Sequence, residues 1–354
     1  MGFIDMQLIN SLRKTTSVIF ILVLLRSGSV WTQGQITYLN FGFSGGENRD
    51  IQRTSESVFR VSEGLYLMSH YGQRDDLFRK ENQKAIDHPF INDRSRYCSV
   101  FSSVFENSVL IGRNWDNENV GSIIVNYYHP PEGFSSISFS RSIDLGFGKY
   151  IELDQIISPQ IGSRLLLAPF YAMDGMNEHG LVVAVTGLKQ TTVTPKDGKE
   201  FMFITYLMRN ILDKTKSVEE AIALSGRIVP FDLDINSLNG HFLVADSSGK
   251  SVILEYHEDQ WRNIYSDKSW QVLSTKPVFN VPDSVLRSQC WRYRSLSENL
   301  ENTNGAGDWE TAMKFLEDVE QKGTTWSVIY SPTTKELYFS AYKKWDIIYH
   351  LSLP

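Results

Sequence analysis

The chain has 354 residues, 42% of them hydrophobic, enough to bury one large core or two small ones. Its formal net charge is −6 and no stretch is densely basic, which excludes a nucleic-acid partner and leaves the acidic balance to keep the protein soluble. The two cysteines, Cys98 and Cys290, leave two readings open: one disulfide, or a free nucleophile at Cys98 with Cys290 as buried filler.

Taken in order, Arg13 and Lys14 precede the apolar run Val18 to Leu25, and Ser27, Gly28 and Ser29 follow it. A basic start, a short apolar core and a small-residue end describe an export signal over residues 1–29, too short to span a bilayer. The expected location is secreted or periplasmic, with no stable membrane insertion after signal removal. An uncleaved anchor is the other reading, because Arg26 and Trp31 make a poor cleavage site. The absence of any Asn-x-Ser/Thr site leans towards a bacterial envelope.

Residues 30–97 read as a helical N-terminal extension or pro-segment. Val58, Val61, Leu65 and Met68 recur at three- and four-residue spacing among polar residues, which predicts one apolar helical face. The segment is too thin in apolar residues for a core of its own. It is expected to pack on the body or to be cleaved away.

From Cys98 to the end at 354 the pattern is strand-rich. Val100, Ser102 and Val104, then Val109, Leu110 and Ile111, predict a hairpin turning at Glu106-Asn-Ser. Ser122 to Tyr128 and Ser136 to Ser140 flank the turn Pro130-Pro-Glu-Gly133. Asp174-Gly-Met-Asn-Glu-His-Gly predicts a tight turn into the buried-type strand Leu181 to Val185. Two helices follow, the second opened by the capping spacing of Ser217 and Glu220. A hairpin of His241–Ala245 with Ser251–Glu255, a short strand from Gln271, helices at Trp291–Leu300 and Asp308–Lys322, and a final hairpin complete the chain. Strands in hairpins and helices in sequential pairs predict an α+β fold with antiparallel sheets and helices packed outside them.

The hairpin after Cys98 folds Arg113 and Asp116 back towards the thiol. If the chain is cut before Cys98, that residue carries a thiol and a free α-amine. The amine titrates near ~7.7–8 against ~8.5 for the thiol, so it can accept the thiol proton without a histidine. Arg113 would favour the thiolate, and Asp116 would hold the amine in place. Arg113 and Asp116 as a merely structural ion pair closing the hairpin is the other reading.

Cys98 followed by Gly112-Arg-Asn-Trp-Asp116, Pro131-Glu-Gly-Phe-Ser-Ser-Ile-Ser and Asp174-Gly-Met-Asn-Glu-His-Gly-Leu181 resembles the linear amide C–N hydrolases. These include the choloylglycine (bile salt) hydrolases and penicillin V acylases, within the N-terminal nucleophile superfamily. His241 to Glu255 resembles the family's central hairpin, and Ser288-Gln-Cys-Trp-Arg-Tyr-Arg its late arginine motif. The resemblance implies an αββα sandwich of two antiparallel sheets between helix layers. It also implies hydrolysis of non-peptide N-acyl amides, with a small-molecule N-acyl amide as substrate. The sequence has no His-x-x-x-His and no cysteine pair with metal spacing, so no metal is expected, nor a cofactor. A homo-oligomer is left open.

Carried over residue by residue, Cys98 resembles the nucleophile and Arg113 and Asp116 its polar partners. Arg292 resembles the late arginine, with Arg294 the alternative. Asn177 is a candidate for substrate or oxyanion binding, although its place in a turn favours a structural role. The family's two oxyanion asparagines fall on Gly187 and Thr275, which could offer a backbone N–H and a hydroxyl. The change speaks against bile salts as substrate. The acyl pocket is expected from the loops after Pro130 and around Leu165–Leu167, and His241 is expected to be a strand residue with a satisfied ring. An acyltransferase passing the acyl group to an amine, and a catalytically inactive binding protein with Cys98 and Cys290 joined, are the competing functions.

Overall fold

The structure, a computed structural model, describes residues 18–27, 30–40, 47–72, 79, 82–83, 86, 98–117, 121–147, 152–155, 164–188, 193–232 and 240–353, with 18–40 described by backbone course alone. Strands β1 (Val18–Ser27) and β2 (Val30–Asn40) form a hairpin, followed by helix α1 (Glu47–Glu56). Strands β3 (Phe59–Ser62) and β4 (Leu65–His70) come next, then β5 (Ser99–Phe105), β6 (Ser108–Asp116), β7 (Ile123–Tyr128), β8 (Ser136–Arg141), β9 (Asp174–Asn177) and β10 (Val182–Gly187). Strand β11 (Glu200–Phe203), helices α2 (Ile204–Lys214) and α3 (Val218–Ser225) and strand β12 (Ile228–Phe231) follow. Strands β13 (Gly240–Ala245), β14 (Ser251–His257), β15 (Gln260–Ile264) and β16 (Trp270–Leu273) lead to helices α4 (Asp283–Gln289), α5 (Trp291–Thr303) and α6 (Trp309–Asp318). Strands β17 (Thr324–Ser331), β18 (Glu336–Ala341) and β19 (Ile347–Ser352) close the chain.

Two large sheets result, ordered β16-β5-β6-β17-β18-β19-β1-β2 and β15-β14-β13-β10-β9-β8-β7-β4-β3. Alternation along the strands gives each sheet an inner face, because successive side chains point to opposite sides. The inner faces meet in one core containing Cys98, Val100, Ile111, Trp115, Val182, Leu243 and Val328. Helix α2 covers the outer face of the larger sheet, packing Leu207, Ile211 and Leu212 on Val183, Val185 and Val244. Helices α5 and α6 cover the other sheet, with Leu296, Leu300 and Leu316 against Phe101 and Ile329. The helices start where their caps allow: Ser217 accepts from the Glu220 N–H, Glu220 accepts in return from Lys216, and Asp308 accepts from Thr311. The αββα sandwich expected from the sequence is the fold observed.

The helical extension is corrected. The positions read as one helical face are split among the end of a turn and two strands, β3 and β4. Gly64 sits at φ +72°, a left-handed conformation that ends the local run and begins a hairpin. Strand β4 is buried along its whole length and pairs parallel with β7, Leu65 opposite Ile123. A strand inside a sheet is apolar on both faces, which is why Leu65-Tyr-Leu-Met carries no alternation. The residues before Cys98 therefore supply part of the sandwich. The apolar run at Val18–Leu25 lies in β1, paired antiparallel with β19 and β2. Among the described residues no helix is long and apolar enough to cross a membrane.

Candidate active site

Hairpin β5–β6 places the first three groups. Ser99 pairs with Asn114 and Val100 with Arg113, so the start of β5 lies beside the end of β6. Residues 109, 111, 113 and 115 share the inner face, and Arg113 is carried into the core with them. Gly112 keeps the opposite face flat: a Cβ there would stand 2.3 Å from the Phe101 ring. Cys98 is fully buried, and Arg113 Nη2 donates towards its Sγ at 3.7 Å. Burial pushes the thiol above its ordinary value, and the Arg113 charge and the Asp116 backbone N–H pull against that rise.

Arg113 and Asp116 do not form the hairpin-closing pair considered from the sequence. Each finds its partner elsewhere. Arg113 Nε lies 2.5 Å from Asp174 Oδ2, an ion pair running from one sheet to the other with both side chains fully buried. Asp174 also accepts from the Tyr330 hydroxyl at 2.6 Å and the Trp326 indole N–H at 3.0 Å. Burial pushes its carboxyl up; Arg113, Tyr330 and Trp326 oppose the shift. The Trp326 ring stacks on Trp115 at 5.3 Å, and the Arg113 guanidinium lies 5.1 Å from the Trp115 ring. Arg113 Nη1 makes no hydrogen bond among the described residues.

Asp116 accepts from Arg292 Nη1 at 3.1 Å and from the Thr324 hydroxyl at 2.6 Å. Burial pushes its carboxyl up to about 6, against the pull of Thr324, Arg292 and Arg113. Helix α5 places the two candidate arginines differently. Arg292 lies on its buried side, whereas Arg294 is exposed. Arg292 Nη2 also reaches the Thr275 hydroxyl at 3.5 Å. Two buried cations and two buried carboxylates thus surround one thiol, and the set balances in charge.

Thr275 and Gly187 are brought to the same region. Leu273 pairs with Val100 at the end of the β16–β5 ladder, and Thr275 follows two residues later, at Arg292. The Thr186 hydroxyl donates to the Ser274 carbonyl at 3.0 Å, tying the residue before Gly187 to the residue before Thr275.

Three expectations are corrected here. Asn177 is not free for substrate or oxyanion binding. Its amide donates to the Leu212 and Thr215 carbonyls, and its oxygen accepts from the His179 and Leu181 N–H groups. That saturates the side chain at the β9–β10 turn. Leu165 packs with Tyr66, Met68 and Ile124 on the far side of the larger sheet from the Cys98 core, so it does not line an acyl pocket. Cys98 and Cys290 are both free, which removes the disulfide reading. Cys98 lies between the sheets and Cys290 under the α5–α6 layer, with β5 separating them.

Sequence reasoning missed Asp174, Thr324, Trp326 and Tyr330. Asp174 heads the Asp-Gly-Met-Asn motif and could have been found as its only charged member pointing inward in a strand. The other three carry no local signal, because they reach the site only through strand pairing. His241 has the satisfied ring expected of it: Nδ1 lies 3.1 Å from Glu255 Oε2 and Nε2 lies 2.8 Å from the Ser274 carbonyl.

Residues 154–313 match the family described as linear amide C-N hydrolases, choloylglycine hydrolase family. No curated protein matches the sequence. Among solved structures, a mutant conjugated bile acid hydrolase from Clostridium perfringens superposes with a TM-score of 0.52 at 14% identity, covering 72% of this chain and 91% of that one. A second variant of that enzyme gives a TM-score of 0.51 at 14% identity, covering 71% and 92%. The penicillin V acylase from Agrobacterium tumefaciens gives 0.47 at 17% identity, covering 69% and 83%. At these identities the likeness is one of fold.

Proposed function

We propose, for a chain whose family match and fold indicate an amidohydrolase acting on linear amides, that Cys98 is its nucleophile and acts as an N-terminal cysteine. The observation that carries this reading is the seat of the thiol: a guanidinium donor 3.7 Å from Sγ, at the start of the hairpin that also delivers Asp116. A thiolate is the attacking species, and a nearby cation favours it. In the uncut chain burial opposes that ionisation, so the thiol needs a base. Scission of the Tyr97–Cys98 peptide bond creates one, the α-amine of Cys98.

The reaction then runs as acyl transfer. The α-amine takes the thiol proton and Sγ attacks the amide carbonyl. The resulting oxyanion is met by the Gly187 backbone N–H and the Thr275 hydroxyl. The tetrahedral species collapses, the amine leaves with the proton, and a thioester remains. Water attacks the thioester and releases the acid and the thiol. Asp116, held by Arg292 and Thr324, orients the α-ammonium. Arg113, fixed by Asp174, keeps the thiolate and has Nη1 for a substrate oxygen. Donors fixed in advance and shielded from water stabilise an oxyanion more than mobile water does.

Residues 30–97 serve in this reading as a pro-segment that stays attached after the cut, because β4 lies inside the larger sheet. Residues 1–29 serve as an export signal, which places the protein outside the cytoplasm. The test is turnover of a panel of N-acyl amides by wild type and by the Cys98→Ser variant. Release of free amine by wild type, with loss on the order of 10³-fold or more in the variant, supports the reading. Equal turnover by both proteins refutes it.

A further inference from the structure

The buried pair His241–Glu255 lies outside the machinery described so far. Thr186, His241 and Glu255 stand in a row on β10, β13 and β14, in step with Ala184, Leu243 and Ile253 of the inner face. All three are essentially inaccessible to solvent. All three reach across the sandwich to one segment, the chain leaving β16. Thr186 and His241 both donate to the Ser274 carbonyl, at 3.0 and 2.8 Å. Glu255 accepts from the Val278 N–H at 2.8 Å and the Phe279 N–H at 3.3 Å. The segment between those anchors carries Thr275, which contacts Arg292, the partner of Asp116.

The partners of His241 fix its hydrogens. A carbonyl can only accept, so Nε2 carries one. Glu255 faces Nδ1 and already accepts two backbone hydrogen bonds. Burial alone would push the Glu255 carboxyl up, but the His241 hydrogen bond and charge and the two backbone N–H groups hold it below its ordinary value. Both carboxylate oxygens are engaged by backbone N–H donors, Oε2 by Val278 and Oε1 by Phe279, so Glu255 meets the ring as an acceptor and Nδ1 carries the second hydrogen. The other charged groups around the pair are Arg262 on β15, opposite Glu255 and engaged with Glu258, then His257 against Phe279, and Arg292 at Thr275.

We propose that His241, doubly protonated on Glu255, is a positioning residue: a cross-sheet clamp on Ser274 that sets Thr275 and Gly187 as a matched pair of donors facing Cys98. The inference rests on the amidase reading for its consequence and on hydrogen-bond geometry for its existence. It explains how donors as short as a threonine hydroxyl and a glycine N–H keep their place. Neither has a long side chain to adjust, so their backbones have to be held. Removing the imidazolium leaves the Ser274 carbonyl with Thr186 as its remaining side-chain donor and leaves Glu255 a buried charge without its counter-ion.

The test has two arms on the full chain. Nitrogen-15 histidine NMR of the wild-type protein at neutral pH reads the ring directly, with the His241 signals assigned by their shift in a Glu255→Gln variant. The clamp requires hydrogens on both ring nitrogens. Kinetics of His241→Gln, which keeps one donor but no charge, should show kcat lower on the order of 10²-fold with KM nearly unchanged. An active amidase whose His241 ring bears a single hydrogen, or whose His241→Gln variant keeps wild-type kcat, overturns the clamp. A doubly protonated His241 in a protein inert to every acyl amide keeps the clamp and removes the amidase reading. If His241→Gln does not fold, the NMR arm decides alone.

Discussion

The two cysteines sit on opposite sides of one strand layer and make a controlled pair. Both are buried: Cys98 has no accessible surface and Cys290 retains 7%. Cys290 belongs to the apolar cluster of Leu286, Leu296 and Val319 under the outer helices, where a thiol is a small hydrophobe. Cys98 lies between the sheets with Arg113, Asp116, Arg292 and Asp174 gathered around it. Burial alone makes a cysteine inert. What separates the two thiols is a set of charges that cost energy to bury and are retained next to one of them.

The largest contrast between the two thiols comes from removing each in turn. Cys98→Ala should abolish both scission before residue 98 and amide turnover, as read by gel and by amine release. Cys290→Ala should leave both intact, and a variant that lost them would collapse the contrast. Next in size is Asp174→Asn, which preserves volume but strips Arg113 of its carboxylate. Breaking a buried pair by removing one partner costs roughly 3–5 kcal/mol, so urea unfolding of the uncut Cys98→Ala chain should shift by about that much. A shift under about 1 kcal/mol would mean that the cross-sheet pair does not anchor the site.

Asp116 gives a pH-dependent version of the same test. Its folded carboxyl titrates near about 6, above the ordinary carboxylate value, so the folded state binds the proton more tightly than the unfolded chain does. Stability should therefore fall as pH rises from about 4 to about 6, by up to about 3 kcal/mol. In the Cys98→Ala background, adding Asp116→Asn should flatten that slope in thermal melts; an unchanged slope would place its origin elsewhere. The smallest effect is the stability cost of Cys290→Ala, about 1 kcal/mol, set by one lost sulfur in an apolar layer.

Much of this site could be read from the chain because its first half is local. Residues 99–116 alternate, turn once and return, so Arg113 and Asp116 had to come back to Cys98. Of the partners of those two residues, Arg292 was named through its motif alone; its contact with Asp116, and those of Asp174 and Thr324, arise by long-range packing that leaves no local pattern. Val58, Val61, Leu65 and Met68 satisfy a helical period by coincidence, and only Gly64 and the unbroken run after it signalled a buried strand. Asn177 drew attention through its motif, but its side chain serves the turn. The inward-pointing residue of that same motif, Asp174, does the electrostatic work.

The mechanism requires Cys98 to become a chain terminus, and N-terminal sequencing with intact mass of the purified wild-type protein measures that directly. The prediction is a large fragment beginning Cys98-Ser-Val-Phe, co-eluting with the fragment that ends at Tyr97 because β4 holds the two together. A chain that hydrolyses acyl amides while the Tyr97–Cys98 bond remains intact would contradict it.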